Sequence, residues 1–204
     1  MKLYLAPKAC SFAPHIILRE LGIPFETETV NLGTKKTRSG EDFYTINPKG
    51  KVPALRLDNG EVLTEAAVIL QYLADLKPEA NLIPKAGSWE RVRLQEWLHY
   101  TATEIHKQFN PLWRPDSPEA TKKTAIETIV HNYGLAARHL DERPYLVGDR
   151  FTIADAYLFN FLEWNKMKGP ALDIAQWPSL QAFDARISAR PAVRAALDAE
   201  AAFR

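Results

Sequence analysis

Residues 47–65 read Asn-Pro-Lys-Gly-Lys-Val-Pro-Ala-Leu-Arg-Leu-Asp-Asn-Gly-Glu-Val-Leu-Thr-Glu, and this stretch decides the fold of the first part of the chain. Two short runs of alternating apolar residues, 54–57 and 61–63, flank Asp58-Asn59-Gly60. Asn and Gly accept positive φ at little cost, so these three residues favour a tight turn. The stretch therefore predicts a β-hairpin.

The dipeptide Val52-Pro53 stands just before the first strand of this hairpin. A proline cannot donate to a strand ladder, so it belongs at a strand entry or in a turn, where an X-Pro bond can be cis. We expect the N–H and C=O of Val52 to be unpaired and to point outward, where an extended peptide ligand can pair with them. A helical pattern opens after the hairpin at Glu65, and a helix N-terminus favours a ligand carboxylate.

Strand and helix patterns alternate over the first 78 residues. Strands are predicted at 2–5, 25–30, 54–57 and 61–63, and helices at 10–21, 35–46 and 66–76, the second of these helices being the weaker. The order βαβ followed by αββα predicts a small mixed sheet and is the thioredoxin-like order. Pro and Gly residues then mark a connector at 79–87.

Only helical patterns follow from Trp89 onward. Residues 89–109 are periodic at helix spacing and are ended by Pro111, and Ser117-Pro118 starts the next helix as N-cap and first-turn proline. Residues 152–155 read Thr-Ile-Ala-Asp, which predicts a capping box at the start of a further helix. The sequence thus predicts an α+β protein with an N-terminal thioredoxin-like domain (1–78), a linker (79–87) and a C-terminal all-helical domain (88–204).

Composition restricts the function. The formal charge of the 204 residues is +1, which provides no electrostatic footprint for nucleic acid or an anionic membrane. We find neither a secretory signal nor an apolar run that could span a bilayer. The lone cysteine excludes an intramolecular disulfide and a cysteine-based zinc site. We therefore predict a cytoplasmic protein without nucleic-acid or membrane partners and without a metal.

Cys10 is the first candidate for chemistry. It falls between a predicted strand and helix, where helical N–H groups and the helix dipole favour a thiolate. The alternative is a small buried core residue, which is common for free cysteine. Its position alone leaves both interpretations open.

The predicted helix from Trp89 carries a polar stripe beside its apolar one. The polar residues at helical spacing are Gln95, His99, Thr103, His106 and Asn110. Such a stripe can line a cleft, although a solvated face is the ordinary interpretation of an amphipathic helix. The two histidines lie two turns apart without a third ligand, which makes a poor metal site.

Together these features resemble one family over essentially the whole chain. The Val52-Pro53 hairpin with its helix-opening Glu65, Cys10-Ser11, Lys35-Lys36, His106-Lys107 and the segment 151–159 are similar to the cytosolic glutathione transferases, and most of all to the bacterial beta class. The resemblance implies a homodimeric detoxification enzyme that conjugates glutathione to small electrophiles. Glutathione would be its co-substrate, with no other cofactor.

The resemblance also implies roles for particular residues. Cys10 would contact the glutathione sulfur and could form a mixed disulfide with it, and His106 would hydrogen-bond near the sulfur pair. Glu65 and Lys35 match the ammonium and carboxylate charges of glutathione, and Thr103 would lie near the partner's site in the dimer. The implied catalytic residues are Cys10 and His106, and the implied glutathione-binding residues are Lys35, Val52, Pro53, Glu65, Ala66, His99, Thr103 and Lys107.

Three positions depart from the beta-class pattern. Leu5 replaces the usual tyrosine at the end of the first strand, and Tyr4 cannot substitute for it because successive side chains of a strand face opposite ways. Lys8 replaces a glycine in the following loop, and His99 replaces an asparagine, which has two donors where a neutral imidazole has one. Thiol activation would then rest on Cys10, Ser11 and His106.

Two other functions stay open at this level. A glutathione-dependent reductase or dehalogenase would use Cys10 in thiol–disulfide exchange. A non-catalytic ligand-binding protein of transferase fold would need neither Cys10 nor Glu65. Asp155 is interpreted as a helix cap, and Phe109 with Trp113 could line an apolar pocket for the second substrate.

Overall fold

The computed structural model describes residues 1–168 and 172–203. The strands are β1 (Lys2–Leu5), β2 (Glu26–Asn31), β3 (Lys36–Thr37), β4 (Ala54–Arg56) and β5 (Val62–Thr64). The helices are α1 (Phe12–Glu20), α2 (Phe43–Ile46), α3 (Ala66–Asp75), α4 (Trp89–Tyr100), α5 (Asn110–Trp113), α6 (Glu119–Leu140), α7 (Ile153–Asn165), α8 (Pro178–Ser188) and α9 (Pro191–Ala201).

The strands form one mixed sheet in the order β3-β2-β1-β4-β5. β1 is parallel to β2, and the other neighbouring pairs are antiparallel. Tyr4 lies in a buried cluster with Phe43, whose ring centroid is 6.0 Å away, while Leu5 is fully buried as well. The mixed sheet and the thioredoxin-like class are confirmed, and Tyr4 belongs to the core.

The predicted hairpin is confirmed. β4 and β5 pair Ala54 with Thr64 and Arg56 with Val62, and Gly60 has a φ of +89° in the turn between them. The Asn59 side chain accepts a hydrogen bond from the Glu61 N–H at 3.0 Å, which closes the turn locally.

The helix predicted over residues 35–46 is wrong for most of its length. Lys35 has a left-handed backbone (φ +57°) and Gly40 has a φ of +94°, neither of which a right-handed helix accommodates. The chain forms β3 on the edge of the sheet, turns, and makes only the short helix α2. Asp42 caps that helix by accepting from the Tyr44 N–H at 3.0 Å.

The chain divides into two compact units that are not both continuous. The first contains Met1–Asn81 and the segment from Ala189 onward, so α9 packs on α1 within it; the second contains Leu82–Ser188. The boundaries predicted at 1–78, 79–87 and 88–204 stay a prediction. None of the described helices is long and apolar enough to cross a membrane.

The predicted helix from Trp89 is longer and less regular than its periodicity indicates. After α4 the chain makes a π-helical segment (Thr101–Ile105) and a 3₁₀ segment (His106–Phe109) before α5. The predicted end at Pro111 is wrong, because this proline occupies the first turn of α5, where no N–H is needed. Ser117 is likewise not the cap of α6, whose N-cap position is Pro118.

Asp155 caps the N-terminus of α7, as predicted. Its carboxylate accepts from the Leu146 N–H at 2.8 Å, the Thr152 N–H at 2.7 Å and the Thr152 hydroxyl at 2.9 Å. Thr152 and Asp155 form the expected capping box, with Asp in the place of Glu. Burial is the largest influence on this group and raises the pKa of Asp155 to about 7, while these hydrogen bonds oppose the rise.

We expect the capping box to govern stability rather than activity. Thr152→Ala should lower the free energy of unfolding by about 1 kcal/mol through the lost cap. Asp155→Ala should lower it by about 2 kcal/mol or more, because buried N–H donors are left without an acceptor. Denaturant unfolding measures both, and Thr152→Ser, which keeps the hydroxyl, is the matched control. Unfolding curves that coincide with that of the parent would contradict this role.

Candidate functional site

Cys10 lies in the turn between β1 and α1, directly before the helix N-terminus. Its side chain is partly exposed, and its thiol donates to the carbonyl of Val52 over 3.1 Å. α1 begins at Phe12, so the first N–H groups of this helix face the same turn. Cys10 is therefore not a small residue sealed in the core, and its sulfur lies against the loop that precedes β4.

Ser11 braces this turn from inside. Its side chain is fully buried, and its hydroxyl donates to the Ala6 carbonyl and accepts from the Ala6 N–H, both over 3.2 Å. The single hydroxyl hydrogen is thus used within the loop. Ser11 holds the loop in shape, and the expectation that it stabilises the sulfur gains no support from this geometry.

Glu200, which the sequence did not reveal, supports the same loop from α9. Its buried carboxylate accepts from the Lys8 N–H at 2.6 Å and lies 3.0 Å from Nδ1 of His15. Arg19 donates to Nε2 of His15 over 3.0 Å, so Nδ1 carries the imidazole hydrogen and donates it to Glu200. Nothing local in the sequence signals this residue, because its partners lie more than 180 residues earlier.

Lys8 adopts a left-handed backbone with a φ of +59°. This conformation explains why a glycine suits the position, since only glycine adopts it without a steric cost. The hydrogen bond from the Lys8 N–H to Glu200 offsets that cost here.

The edge formed by Val52 is partly as predicted. The Val52-Pro53 peptide bond is cis. The expectation that the Val52 carbonyl is unpaired is wrong, because the Cys10 thiol donates to it. No acceptor within residues 1–168 and 172–203 takes the Val52 N–H, which leaves it available to an extended ligand.

Glu65 and Ala66 stand at the start of α3. Glu65 has a φ of +70°, and its exposed carboxylate pairs with the ammonium of Lys49 over 2.7 Å. Lys49 also donates to the Thr64 hydroxyl over 2.9 Å. Ala66 is the first helical residue, so its N–H is one of those that a helix leaves unsatisfied. The Lys49 partner was not predicted.

Lys35 is held near this loop by a backbone contact. Its ammonium donates to the Gly50 carbonyl over 2.8 Å, two residues before Val52. One of its three donors is thereby used, and the other two remain geometrically suited to a carboxylate. The first unit thus brings Cys10 to Val52, and Lys35 to the same loop.

In the second unit, His106 lies against an aromatic cluster. Its Nδ1 is 3.2 Å from the Tyr157 hydroxyl, and its ring lies 4.8 Å from that of Phe161 and 5.4 Å from that of Trp164. Phe109 packs edge-on to Trp164 at 5.2 Å. These contacts fix the imidazole orientation and place it beside a buried aromatic cluster.

The π segment determines where His106 falls on the helix. The His106 N–H reaches the Thr101 carbonyl, five residues back, so the segment holds one more residue than an α-turn. Asn132 of α6 secures the irregular turn, donating to the Glu104 carbonyl over 2.8 Å and accepting from the Tyr100 hydroxyl over 2.7 Å. The regular polar stripe predicted through His106 is therefore broken.

His99, Thr103 and Lys107 are exposed on this helix. His99 donates its Nδ1 hydrogen to the Gln95 carbonyl over 2.8 Å, because a carbonyl can only accept. A neutral His99 then has no donor left for a ligand. The Thr103 hydroxyl likewise donates to the His99 carbonyl over 3.1 Å. Their roles in ligand binding, and that of Lys107, stay predictions.

No group of three or more metal-ligating His, Cys, Asp or Glu side chains occurs among the described residues.

Comparison with known families gives two matches in chain order. Residues 9–76 match the glutathione S-transferase N-terminal domain, and residues 100–191 match the glutathione S-transferase C-terminal domain. The two matched segments include Cys10, Val52 and Glu65 in the first, and His106 in the second.

Individual relatives align over almost the full length. The chain is 44% identical to glutathione S-transferase GstA of Escherichia coli O157:H7, with 98% of each chain covered. Among solved structures, a bacterial beta-class glutathione S-transferase of Sphingomonas chungbukensis is 46% identical, with a TM-score of 0.94 and 98% of each chain covered. A sphingomonad glutathione S-transferase complexed with glutathione is 45% identical, with a TM-score of 0.95, over 98% of this chain and 99% of that one.

Proposed function

The chain belongs to the glutathione S-transferase family, and we propose that it conjugates glutathione to small electrophiles as a beta-class-like enzyme of the cytoplasm, with glutathione as its co-substrate. The observation that carries the proposal is the contact between the Cys10 sulfur and the Val52 carbonyl, beside a Val52 N–H that has no partner in the described part of the chain. A thiol and an open backbone donor are thus presented together. The cysteine of a tripeptide can place its own thiol beside that of Cys10 and its backbone carbonyl on the Val52 N–H.

The first unit provides a complement for each end of glutathione. In our proposal the tripeptide lies extended along Val52 and Pro53, and its cysteine N–H and C=O pair with the Val52 backbone. Glu65 faces the γ-glutamyl ammonium, and the Ala66 N–H at the start of α3 receives the adjacent carboxylate. The Lys35 ammonium, held at Gly50, serves the glycyl carboxylate.

The chemistry then requires a glutathione thiolate as nucleophile. Its sulfur attacks the electrophilic carbon, and a leaving group such as halide departs with the bonding electron pair. In this proposal Cys10 turns its S–H from the Val52 carbonyl to this sulfur and stabilises it by hydrogen bonding. His106 and Lys107 belong to the second unit, and their part in this step stays a prediction. Phe109, Phe161 and Trp164 form a buried aromatic cluster beside His106, and the exposed ring of Trp113 at its end suits an apolar electrophile.

A second function is favoured by the exposure of Cys10. A partly exposed thiol before a helix N-terminus can also attack a disulfide, releasing one thiolate and forming a mixed disulfide that a second glutathione reduces. We therefore keep a glutathione-dependent reductase or dehalogenase as the alternative. A purely ligand-binding role would leave the contact between Cys10 and Val52 without a use.

We also propose that the protein is a homodimer through α4. Trp89 and Val92 on this helix are 65% and 47% exposed, which is high for large apolar side chains. Trp89 also lines a groove of about 500 Å³ together with Trp97 and Leu135. Covering this surface with a second copy would remove it from water.

The dimer is tested by mass in solution. Light scattering at micromolar concentration should give twice the 23.1 kDa chain mass. Trp89→Glu should shift the protein towards the monomer, because it places a charge on the proposed interface. Leu32→Glu places the same charge on an exposed apolar residue outside α4, so it is the control and should leave the dimer intact. A monomer mass for the parent would overturn the proposal.

Cys10 should form a reversible mixed disulfide with glutathione. Incubation with oxidised glutathione should add one tripeptide per chain by intact-mass analysis, and dithiothreitol should remove it, because the lone cysteine has no internal partner. Cys10→Ala should abolish the adduct and any disulfide exchange or dehalogenation. It should reduce conjugation less, since there the nucleophile is the sulfur of glutathione.

Two outcomes would contradict this account. An unmodified mass, under conditions in which free cysteine reacts readily, would mean that Cys10 does not meet the glutathione sulfur. Complete loss of conjugation in Cys10→Ala, with glutathione binding retained, would make Cys10 rather than glutathione the essential nucleophile and would favour the alternative function.

A further inference from the structure

Lys168, just beyond α7, occupies an unusual place for a lysine. Its ammonium lies 3.4 Å from the ring centroid of Trp113 and donates to the Leu112 carbonyl over 2.8 Å. A cation this close to an indole face makes a cation–π contact. The side chain is thereby fixed on α5, while one of its three donors goes to the backbone.

This ammonium has no anionic partner within the described ranges 1–168 and 172–203. Burial alone accounts for the lowered pKa of Lys168, with no carboxylate to oppose it. Lys166, two residues earlier, differs in this respect because it pairs with Glu163 and Asp184. A partly desolvated positive charge without a counter-charge attracts an anion from solution.

The same lysine lies at the end of the aromatic cluster that begins at His106. Trp113 lies edge-on to Trp164 at 5.4 Å, and Trp164 lies 5.4 Å from the ring of His106. Trp113 is 43% exposed, whereas Phe109 and Trp164 are buried. The cluster therefore reaches solvent at Trp113, next to the ammonium of Lys168.

We propose that Lys168 is a specificity-determining residue that selects aromatic electrophiles bearing an anionic substituent such as a carboxylate. The ring of the electrophile would lie against the exposed part of Trp113, and its anionic group would meet the ammonium. This inference rests on the proposed conjugating function and narrows its substrate class. Lys168 acts on binding and takes no part in bond making.

A matched pair of electrophiles separates charge recognition from chemistry. 1-Chloro-2,4-dinitrobenzene is neutral, and 4-chloro-3,5-dinitrobenzoate carries a carboxylate. Both react by the same substitution: the glutathione thiolate adds to the carbon that bears chlorine, and chloride leaves with the electron pair. No oxidant or reductant is required, so a difference between the two reports on binding of the carboxylate.

The experiment measures kcat/KM for both electrophiles in the parent and in Lys168→Met, Lys168→Arg and Lys123→Met. Lys168→Met should lower the value about tenfold for the benzoate and by less than about twofold for the neutral compound, since charge-assisted contacts dominate only the first. Lys168→Arg should retain the preference. Lys123→Met is the control, because it removes an exposed charge that pairs only loosely with Glu127 at 3.9 Å.

The dependence on salt gives a further readout. The advantage of the benzoate should shrink as ionic strength rises, and this salt dependence should disappear in Lys168→Met. An equal fall for both electrophiles would make Lys168 merely structural, and an unchanged benzoate value would overturn the proposal.

If the parent turns over neither electrophile, the proposed function fails, and the Lys168 proposal is judged by calorimetry with 3,5-dinitrobenzoate. Binding that weakens in Lys168→Met but not in Lys123→Met supports it, and binding that is equal in all variants overturns it.

Discussion

The hydrogen bonds of one buried carboxylate determine the shape of the thiol-bearing loop. Glu200 receives the Lys8 N–H and the His15 imidazole in a place that solvent does not reach. A buried carboxylate is tolerated only when it is hydrogen-bonded, so α9, α1 and the loop are constrained together. The left-handed backbone of Lys8 is held by the same contact, and two residues later the chain presents Cys10. The C-terminal helix therefore belongs physically to the first unit and contributes to its site.

From that constraint the rest of the first unit's site follows. Ser11 closes the loop from inside, which leaves the Cys10 thiol to meet the Val52 carbonyl. The hairpin β4–β5 then sets the distance along the chain from this thiol contact to Glu65 at the start of α3. In the second unit a comparable role falls to Asn132, which secures the π segment and hence the approach of His106 to its aromatic neighbours. In both places a polar side chain holds an irregular stretch of backbone by hydrogen bonds: Ser11 in the loop before α1 and Asn132 at the π segment.

Local signals in the sequence predicted the elements that are built locally. The Asn-Gly turn, the opening of α3 at Glu65 and the capping box of Thr152 and Asp155 each depend on residues a few positions apart. The helix prediction for segment 35–46 was wrong. Its composition permits a helix, but the segment pairs with β2 as an edge strand, and Lys35 has a left-handed backbone. The π segment is invisible to a 3.6-residue period. Glu200 and Lys49 were missed because their partners are distant in sequence. The glutathione-binding roles came from the resemblance to a family, because no physical pattern in the sequence assigns them.

Glutathione, in our proposal, binds the first unit with its γ-glutamyl ammonium on Glu65. The most direct test is calorimetry of the parent and Glu65→Gln with glutathione and with an analogue in which a glutaryl group replaces γ-glutamyl, so that only the ammonium is missing. Because a charge-assisted hydrogen bond contributes about 1.5–3 kcal/mol, Glu65→Gln should weaken glutathione binding by about tenfold or more. It should change binding of the analogue little. An equal loss for both ligands, or no loss for glutathione, would contradict the account.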